Sequence, residues 1–173
     1  FDKIFSRKIF NIGLDKKFIL LSGLKPSSNF NKGWDLLEPA LIKISSIIPN
    51  LELIVIGENK PIEIPKLGMK INYLGNLYDD QSLAIIYSAA DLVVVPSRIE
   101  SFSQAASESQ SCGTPVLAFD CSGLSDVVSH KKTGYLAKPF EVESLVKGMQ
   151  WILEDISRAK AISQNSRKRA LNL

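Results

Sequence analysis

The sequence predicts an α/β domain: a parallel sheet of about six strands with helices on both faces. Three observations predict it. KFILLSG (17–23), LELIVIG (51–57) and LVVV (92–95) are largely unbroken apolar runs rather than alternating ones, the pattern of strands buried on both faces. These runs alternate with segments whose apolar residues recur at helical spacing, as right-handed β-α-β crossovers require. Most runs also stop at a residue that breaks a strand: Gly23, Gly57, Gly75 or Pro96.

Phe1 to Asp15 has mixed charge and no clear period. It reads as a linker or lead-in helix ending at Gly13, so residues 1–16 are set apart as a lead-in linker within a single domain over 1–173. Lys17 to Gly23 is the first strand. Leu24 to Gly33 is a polar loop with Pro26, serines and asparagines. Trp34, Leu37, Leu41, Ile44 and Ile48 then fall on one helix face, with Pro39 a candidate bend. Leu51 to Gly57 is the second strand and Lys70 to Gly75 the third. Asp79 or Asp80 caps a short helix running to Ala89. Leu92 to Val95 is the fourth strand, closed by Pro96.

Ser101 precedes Gln104 by three positions, a capping-box spacing that predicts a helix start there. Pro115 to Phe119 is the fifth strand, and Cys121 to Asp126 a loop feeding a short helix. Gly134 to Ala137 is a last short strand. Glu141 to Glu154 and Ser157 to Leu173 read as two closing helices. Trp34, Trp151 and Phe140 sit among aliphatics at helical spacing and are assigned to the core.

The composition narrows the function classes. A length of 173 residues with 45% hydrophobic and 23% charged side chains suits one globular domain with a real core. A net charge of +3, with no basic stripe interleaved with aromatics, argues against a nucleic-acid partner. The basic run after Ser166 reads as a solvated helix end. Two cysteines, Cys112 and Cys121, and one histidine, His130, make neither a disulfide framework nor a zinc site, so no metal is expected. His130, in a polar loop, reads as a surface residue. A reducing, cytoplasmic compartment is the simplest setting for the thiols. No apolar run approaches the roughly 20 residues needed to span a bilayer, and no signal-peptide pattern is present. The start at Phe1 rather than methionine reads as that of a fragment.

The candidate site lies after the fourth strand. In a parallel sheet, ligands bind beyond the carboxyl ends of the strands. Here a strand runs through a short loop into a helix N-terminus, whose unpaired N–H groups and dipole favour a phosphate. Glu100 stands just before the helix and Glu108 within it, eight positions on (108 − 100). A carboxylate only accepts hydrogen bonds and can take both hydroxyls of a ribose diol. Lys32-Gly33, ahead of another helix, offers an ammonium that can neutralise a diphosphate.

PSRIESFSQAASESQSCGTPVLAFD resembles the E-x7-E segment of retaining GT-B glycosyltransferases, in particular the large family 4 group. Glu100, Phe102, Glu108, Gly113, Pro115 and Val116 match the usual pattern, whereas Ser101 and Ser103 stand where glycines are usual. Lys32 matches the lysine of the G-R-x-x-x-x-K-G segment that follows Gly23, but Leu24 stands where the arginine is expected. Lys25 or Arg98 is left as a candidate second cation. Gly57-Glu58 resembles the V-G-x-G turn, and the stretch from Tyr73 to Leu77 resembles the segment whose backbone meets the nucleobase.

The resemblance implies a Rossmann-like domain, the C-terminal, donor-binding half of a GT-B fold. It implies transfer of a sugar from a nucleoside-diphosphate sugar to a hydroxyl acceptor with retention, without cofactor or metal, as in bacterial polysaccharide synthesis. By the same resemblance, Glu100 contacts the donor sugar or its cationic transition state, and Glu108 binds the ribose. Phe102, Ser103 and Gln104 offer amides to sugar and phosphate. Gly23, Lys32, Gly57, Leu77, Arg98 and Ser101 complete the expected donor site. A glycan or lipid-linked acceptor would bind a separate N-terminal domain, at the cytoplasmic face of the inner membrane where the acceptor is lipid-linked. This chain alone would then bind donor with little turnover. The rival expectations are half of a sugar-nucleotide epimerase and a non-catalytic nucleotide-sugar-binding or interaction module.

Overall fold

A computed structural model of the chain describes residues 1–23 and 27–171. Six parallel strands form one sheet: β1 (Lys17–Ser22), β2 (Leu51–Ile56), β3 (Lys70–Tyr73), β4 (Leu92–Val95), β5 (Val116–Phe119) and β6 (Gly134–Ala137). Their order across the sheet is β3-β2-β1-β4-β5-β6. The chain builds outward from β1 to β3, then returns to the centre and builds outward the other way. The reversal falls between β1 and β4, which pair in parallel with Ile19 opposite Leu92 and Leu21 opposite Val94. That junction is the switch point at which open α/β sheets form a crevice. All strands end within two residues of the sequence expectation; the four inner strands β1, β2, β4 and β5 are buried apolar runs, while the edge strands β3 and β6 are partly exposed.

Seven helices cover the sheet among the described residues: α1 (Lys3–Ile9), α2 (Trp34–Ser45), α3 (Asp80–Ala89), α4 (Gln104–Ser111), α5 (Leu124–Val127), α6 (Val142–Leu153) and α7 (Ile156–Ala170). Alternate strand residues feed two cores. Ile19, Leu21, Leu92 and Val94 pack with Leu37 and Leu41 of α2 and with Leu145 and Met149 of α6. Phe18, Leu20, Val93 and Val95 pack with Ile86 and Tyr87 of α3, Ala106 of α4 and Leu124 of α5. Both faces are therefore covered, as the apolar runs require. Pro39 lies in the second turn of α2, and the helix continues through it. No helix of the described residues is long and apolar enough to cross a membrane.

Two expectations are corrected, at Phe140 and at the start of α4. The lead-in segment, expected as a linker or a helix, is helical over Lys3–Ile9. It forms α1, capped by the Asp2 side chain, which accepts from Phe5 N at 2.9 Å. Arg7 docks it: the buried guanidinium donates to the carbonyls of Ala89 (3.0 Å) and Lys16 (3.0 Å) and pairs with Asp91 at 2.7 Å. Charge and main-chain oxygens, rather than an apolar stripe, hold this helix, so it leaves no periodic signal. Phe140 is not core: it is 48% exposed, and its φ of +63° places it in a turn before α6. Its ring meets Phe119 edge-on, with centroids 5.6 Å apart.

The second correction is at α4. Its N-cap is Ser103, not Ser101; the buried Ser103 hydroxyl accepts from Ala106 N at 3.4 Å. The helix starts later because the backbone of Glu100 pairs with the loop after β5. Gly123 N donates to Glu100 O at 2.8 Å, so residues 101–102 are spent crossing the end of the sheet.

Candidate functional site

The loops after β1 and β4 face each other across the switch point and are closely zipped. Gly33, with φ of +69°, lies so close to Pro96 that a Cβ there would stand 2.0 Å from the Pro96 carbonyl oxygen. Only glycine meets both demands. Arg98 N donates to Asn31 O at 2.8 Å. A 3-10 turn over Phe30–Lys32, capped by Asn29, then presents Lys32 to the crevice.

Across that crevice, Lys32 Nζ donates to Glu100 Oε1 at 2.7 Å. The Glu100 side chain is only 15% exposed and that of Lys32 31%, so water screens this pair less than a surface pair. The Lys32 side chain passes Gly23: a Cβ on Gly23 would lie 3.8 Å from Lys32 Cε. The sequence reasoning placed Lys32 and Glu100 in one site, and the fold brings them into contact from positions 68 apart.

Glu100 is also held by its main chain. Its N–H donates to Ser122 Oγ at 3.1 Å, and its carbonyl accepts from Gly123 N at 2.8 Å. Beyond it, the amides of Phe102, Ser103 and Gln104 make no hydrogen bond among the described residues. With the dipole of α4 behind them, they form an open row of donors at a positive end. Phe102 and Ser101 are exposed beside it.

Gln104 and Glu108 lie one helical turn apart on the exposed side of α4, while Ala106, Ser109 and Gln110 are buried. Behind Glu108 sits Tyr87, fully buried, its hydroxyl 3.0 Å from Ser22 Oγ at the end of β1. Burial pushes the Tyr87 phenol far above its usual range; the bond to Ser22 opposes this and the neighbouring Glu108 carboxylate adds to it. Tyr87 therefore stays a protonated donor at all ordinary pH values.

Arg98 is engaged elsewhere. Its guanidinium pairs bidentately with Asp35, at 2.9 and 2.6 Å, donates to Phe30 O at 2.7 Å, and lies 3.9 Å over the Phe30 ring. The Arg98 hydrogen bond is the main cause holding the Asp35 carboxyl below its usual range. Arg98 thus acts here as a bolt between the two loops. Lys25, the other candidate second cation, lies outside the described residues.

Gly57 and Leu77 sit at the outer end of the crevice. Gly57, with φ of +88°, donates to Gly75 O at 2.8 Å and ties the ends of β2 and β3 together. Leu77 turns its side chain into the second core and leaves its main chain at the rim. Glu58 accepts from Ser27 N at 3.0 Å and from the Ser27 hydroxyl, anchoring the loop after β1. His130 is structural: Nδ1 accepts from Leu136 N at 3.0 Å.

Asp35 and Tyr87 escaped the sequence reading, and Ser122 and Gly123 stood in it only as part of the loop from Cys121 to Asp126. Gly123 just after a strand was a usable turn signal. The other three carry none, since their partners lie 63, 22 and 65 positions away.

Residues 2–169 match the family described as Glycosyl transferases group 1. A D-inositol 3-phosphate glycosyltransferase of Jonesia denitrificans is 32% identical over 152 residues, covering 80% of this chain and 36% of that protein. Among solved structures, sucrose-phosphate synthase from Thermosynechococcus elongatus superposes with a TM-score of 0.86 at 29% identity, over 100% of this chain and 45% of that one. The Anabaena protein HepE in complex with UDP-glucose gives 0.80 at 23% identity, over 96% of this chain and 46% of that one, and shows the shared fold. The chain spans less than half the length of each of these relatives.

Proposed function

The chain belongs to the group 1 glycosyl transferases, and from that premise we propose that it is the donor-binding half of a retaining glycosyltransferase acting on a nucleoside-diphosphate sugar. The observation that carries the reading is the meeting of Lys32 and Glu100 at 2.7 Å over the switch point, beside the open amides of α4. A cation and a row of N–H donors suit a diphosphate. A carboxylate next to them suits the sugar that the diphosphate leaves.

In this reading Lys32 and the amides of Phe102, Ser103 and Gln104 offset the charge that builds on the leaving diphosphate, without a divalent ion. Glu100 faces the sugar and stabilises positive charge at its anomeric carbon. The C1–O bond to phosphate breaks as the bond to the acceptor oxygen forms on the same face, and the acceptor proton passes to the departing phosphate. Glu108 accepts the ribose hydroxyls and is oriented from behind by Tyr87. Gly57 and the main chain near Leu77 border the base. UDP-glucose bound to a protein of the same fold supports this class of donor. The acceptor, a glycan or lipid-linked glycan, binds a second domain, and this domain alone has little transferase activity. The free thiols of Cys112 and Cys121 fit a reducing, cytoplasmic setting.

The experiment is turnover of UDP-, GDP- and ADP-linked sugars by the full-length protein, with and without chelator, and NMR assignment of the product anomer. The expected product keeps the donor's configuration, and chelator leaves the rate unchanged. An inverted product contradicts the reading.

A further inference from the structure

We propose that Ser122 is a positioning residue for Glu100: its hydroxyl and the adjoining Gly123 amide clamp the main chain that aims the carboxylate. The inference rests on the reading of Glu100 given above. Every polar group of Glu100 is held. The N–H donates to Ser122 Oγ at 3.1 Å, the carbonyl accepts from Gly123 N at 2.8 Å, and the carboxylate accepts from Lys32 at 2.7 Å. The first two holds come from consecutive residues on the loop after β5, the third from the loop after β1. Fixing the main chain on both sides of the residue leaves only side-chain torsions free, and Lys32 sets those. Catalysis by a charged group depends on such placement before the substrate arrives.

The backbone supplies an independent observation. Ser122 has φ of +49°, in the left-handed region that glycine enters without cost and serine does not. Four other non-glycine residues share that region: Asn11, Asn50 and Lys131 stand in turns ahead of strands at the other end of the sheet, and Phe140 stands in the turn after β6 with its ring against Phe119, away from Glu100. Ser122 stands at the ligand end, where a strained residue points to a task for its side chain. The contact itself is tight. A Cβ at Gly123 would lie 2.1 Å from the Ser101 carbonyl oxygen, so the loop after β5 presses directly on the segment that carries Glu100. Ser122 is exposed, and removing its hydroxyl opens no cavity in either core.

The test uses the full-length protein and three variants. Ser122→Gly removes the hydroxyl and relieves the backbone, Ser122→Ala removes the hydroxyl alone, and Ser122→Asn restores an acceptor on a residue that tolerates this φ. Kinetics are read with whichever of UDP-glucose, GDP-mannose and ADP-glucose the wild type turns over fastest. The temperature coefficient of the Glu100 amide proton reports the hydrogen bond directly. The expected result is a kcat lower by roughly ten- to a hundredfold in the glycine and alanine variants, as for a sub-ångström displacement of a catalytic group. KM for the donor stays within about twofold, Ser122→Gly melts at or above the wild-type temperature, and Ser122→Asn recovers most of the rate. A wild-type kcat in Ser122→Gly, where Glu100→Gln is impaired, overturns the proposal. So does an unchanged amide coefficient in Ser122→Gly, whichever donor is used or if none is turned over. If Glu100→Gln is itself fully active, the role given to Glu100 fails instead, and the amide coefficient still decides whether the clamp exists.

Discussion

Lys32 Nζ stands 2.7 Å from Glu100 Oε1, joining the loop after β1 to the loop after β4 where the strand order reverses. A half-buried cation paired with a better-buried carboxylate is a stored arrangement of opposite charges. A donor that presents a diphosphate to the lysine and a developing sugar cation to the glutamate meets both in place.

In the proposed reading Glu108 holds the ribose. Glu108→Gln keeps the size of the side chain but replaces one acceptor oxygen with a donor, so a diol can no longer be held by a carboxylate. We expect the affinity for the preferred ribonucleoside diphosphate to fall about tenfold, roughly 1.4 kcal/mol. The 2′-deoxy analogue should lose less, because it offers one fewer hydroxyl. Calorimetric titration of both nucleotides against both proteins checks this.

Gly33 sets the spacing of the two loops. Gly33→Ala places a Cβ 2.0 Å from the Pro96 oxygen at a φ of +69°. The loops must part, at a cost of about 2 kcal/mol in stability, the scale of one strained backbone site. Lys32 and Glu100 then separate. Thermal unfolding should show a midpoint lower by several degrees, and nucleotide affinity should fall with it.

The bolt between Arg98 and Asp35 gives a pH dependence. Arg98 holds the Asp35 carboxyl below its usual range. A carboxyl whose folded pKa is lowered contributes stability that is complete above its unfolded value, near 3.9, and lost as pH falls through the folded value. The Asp35 side chain is 54% exposed, so solvent screening keeps the effect small. The difference in unfolding midpoint between wild type and Asp35→Asn should be present at neutral pH and shrink below about pH 4. A difference that grows on acidification contradicts the bolt.

What the sequence shows of this molecule depends on how local each cause is. The inner strands β1, β2, β4 and β5 were legible because burial on both faces leaves an apolar run that needs no partner to be recognised. Lys32, Glu100 and Glu108 were singled out by their place in segments that resemble a family pattern, and the fold brings the first two of them into contact. The start of α4 was misplaced because the spacing of Ser101 and Gln104 is a local signal. It is overridden by a tertiary one, the pairing of Glu100 with residues 22 and 23 positions on (122 − 100 and 123 − 100). The docking of α1 through Arg7 and the Arg98–Asp35 bolt were invisible for the same reason: a guanidinium far from its partners in sequence has no periodic trace. Phe140 was read as core from its neighbours, but a left-handed backbone sets it in a turn.

In the proposed function Lys32 binds the diphosphate of a donor. Its most direct test is calorimetric titration of wild type and Lys32→Ala, without added metal, with UDP, GDP and ADP and then with the monophosphate of whichever base binds. Saturable binding of one nucleoside diphosphate is expected, weakened by roughly ten- to a hundredfold in Lys32→Ala, as for loss of a charge-assisted contact. The monophosphate should lose no more than about twofold, since it lacks the distal phosphate. Equal affinity of both proteins for the diphosphate, or an equal loss for diphosphate and monophosphate, would contradict it.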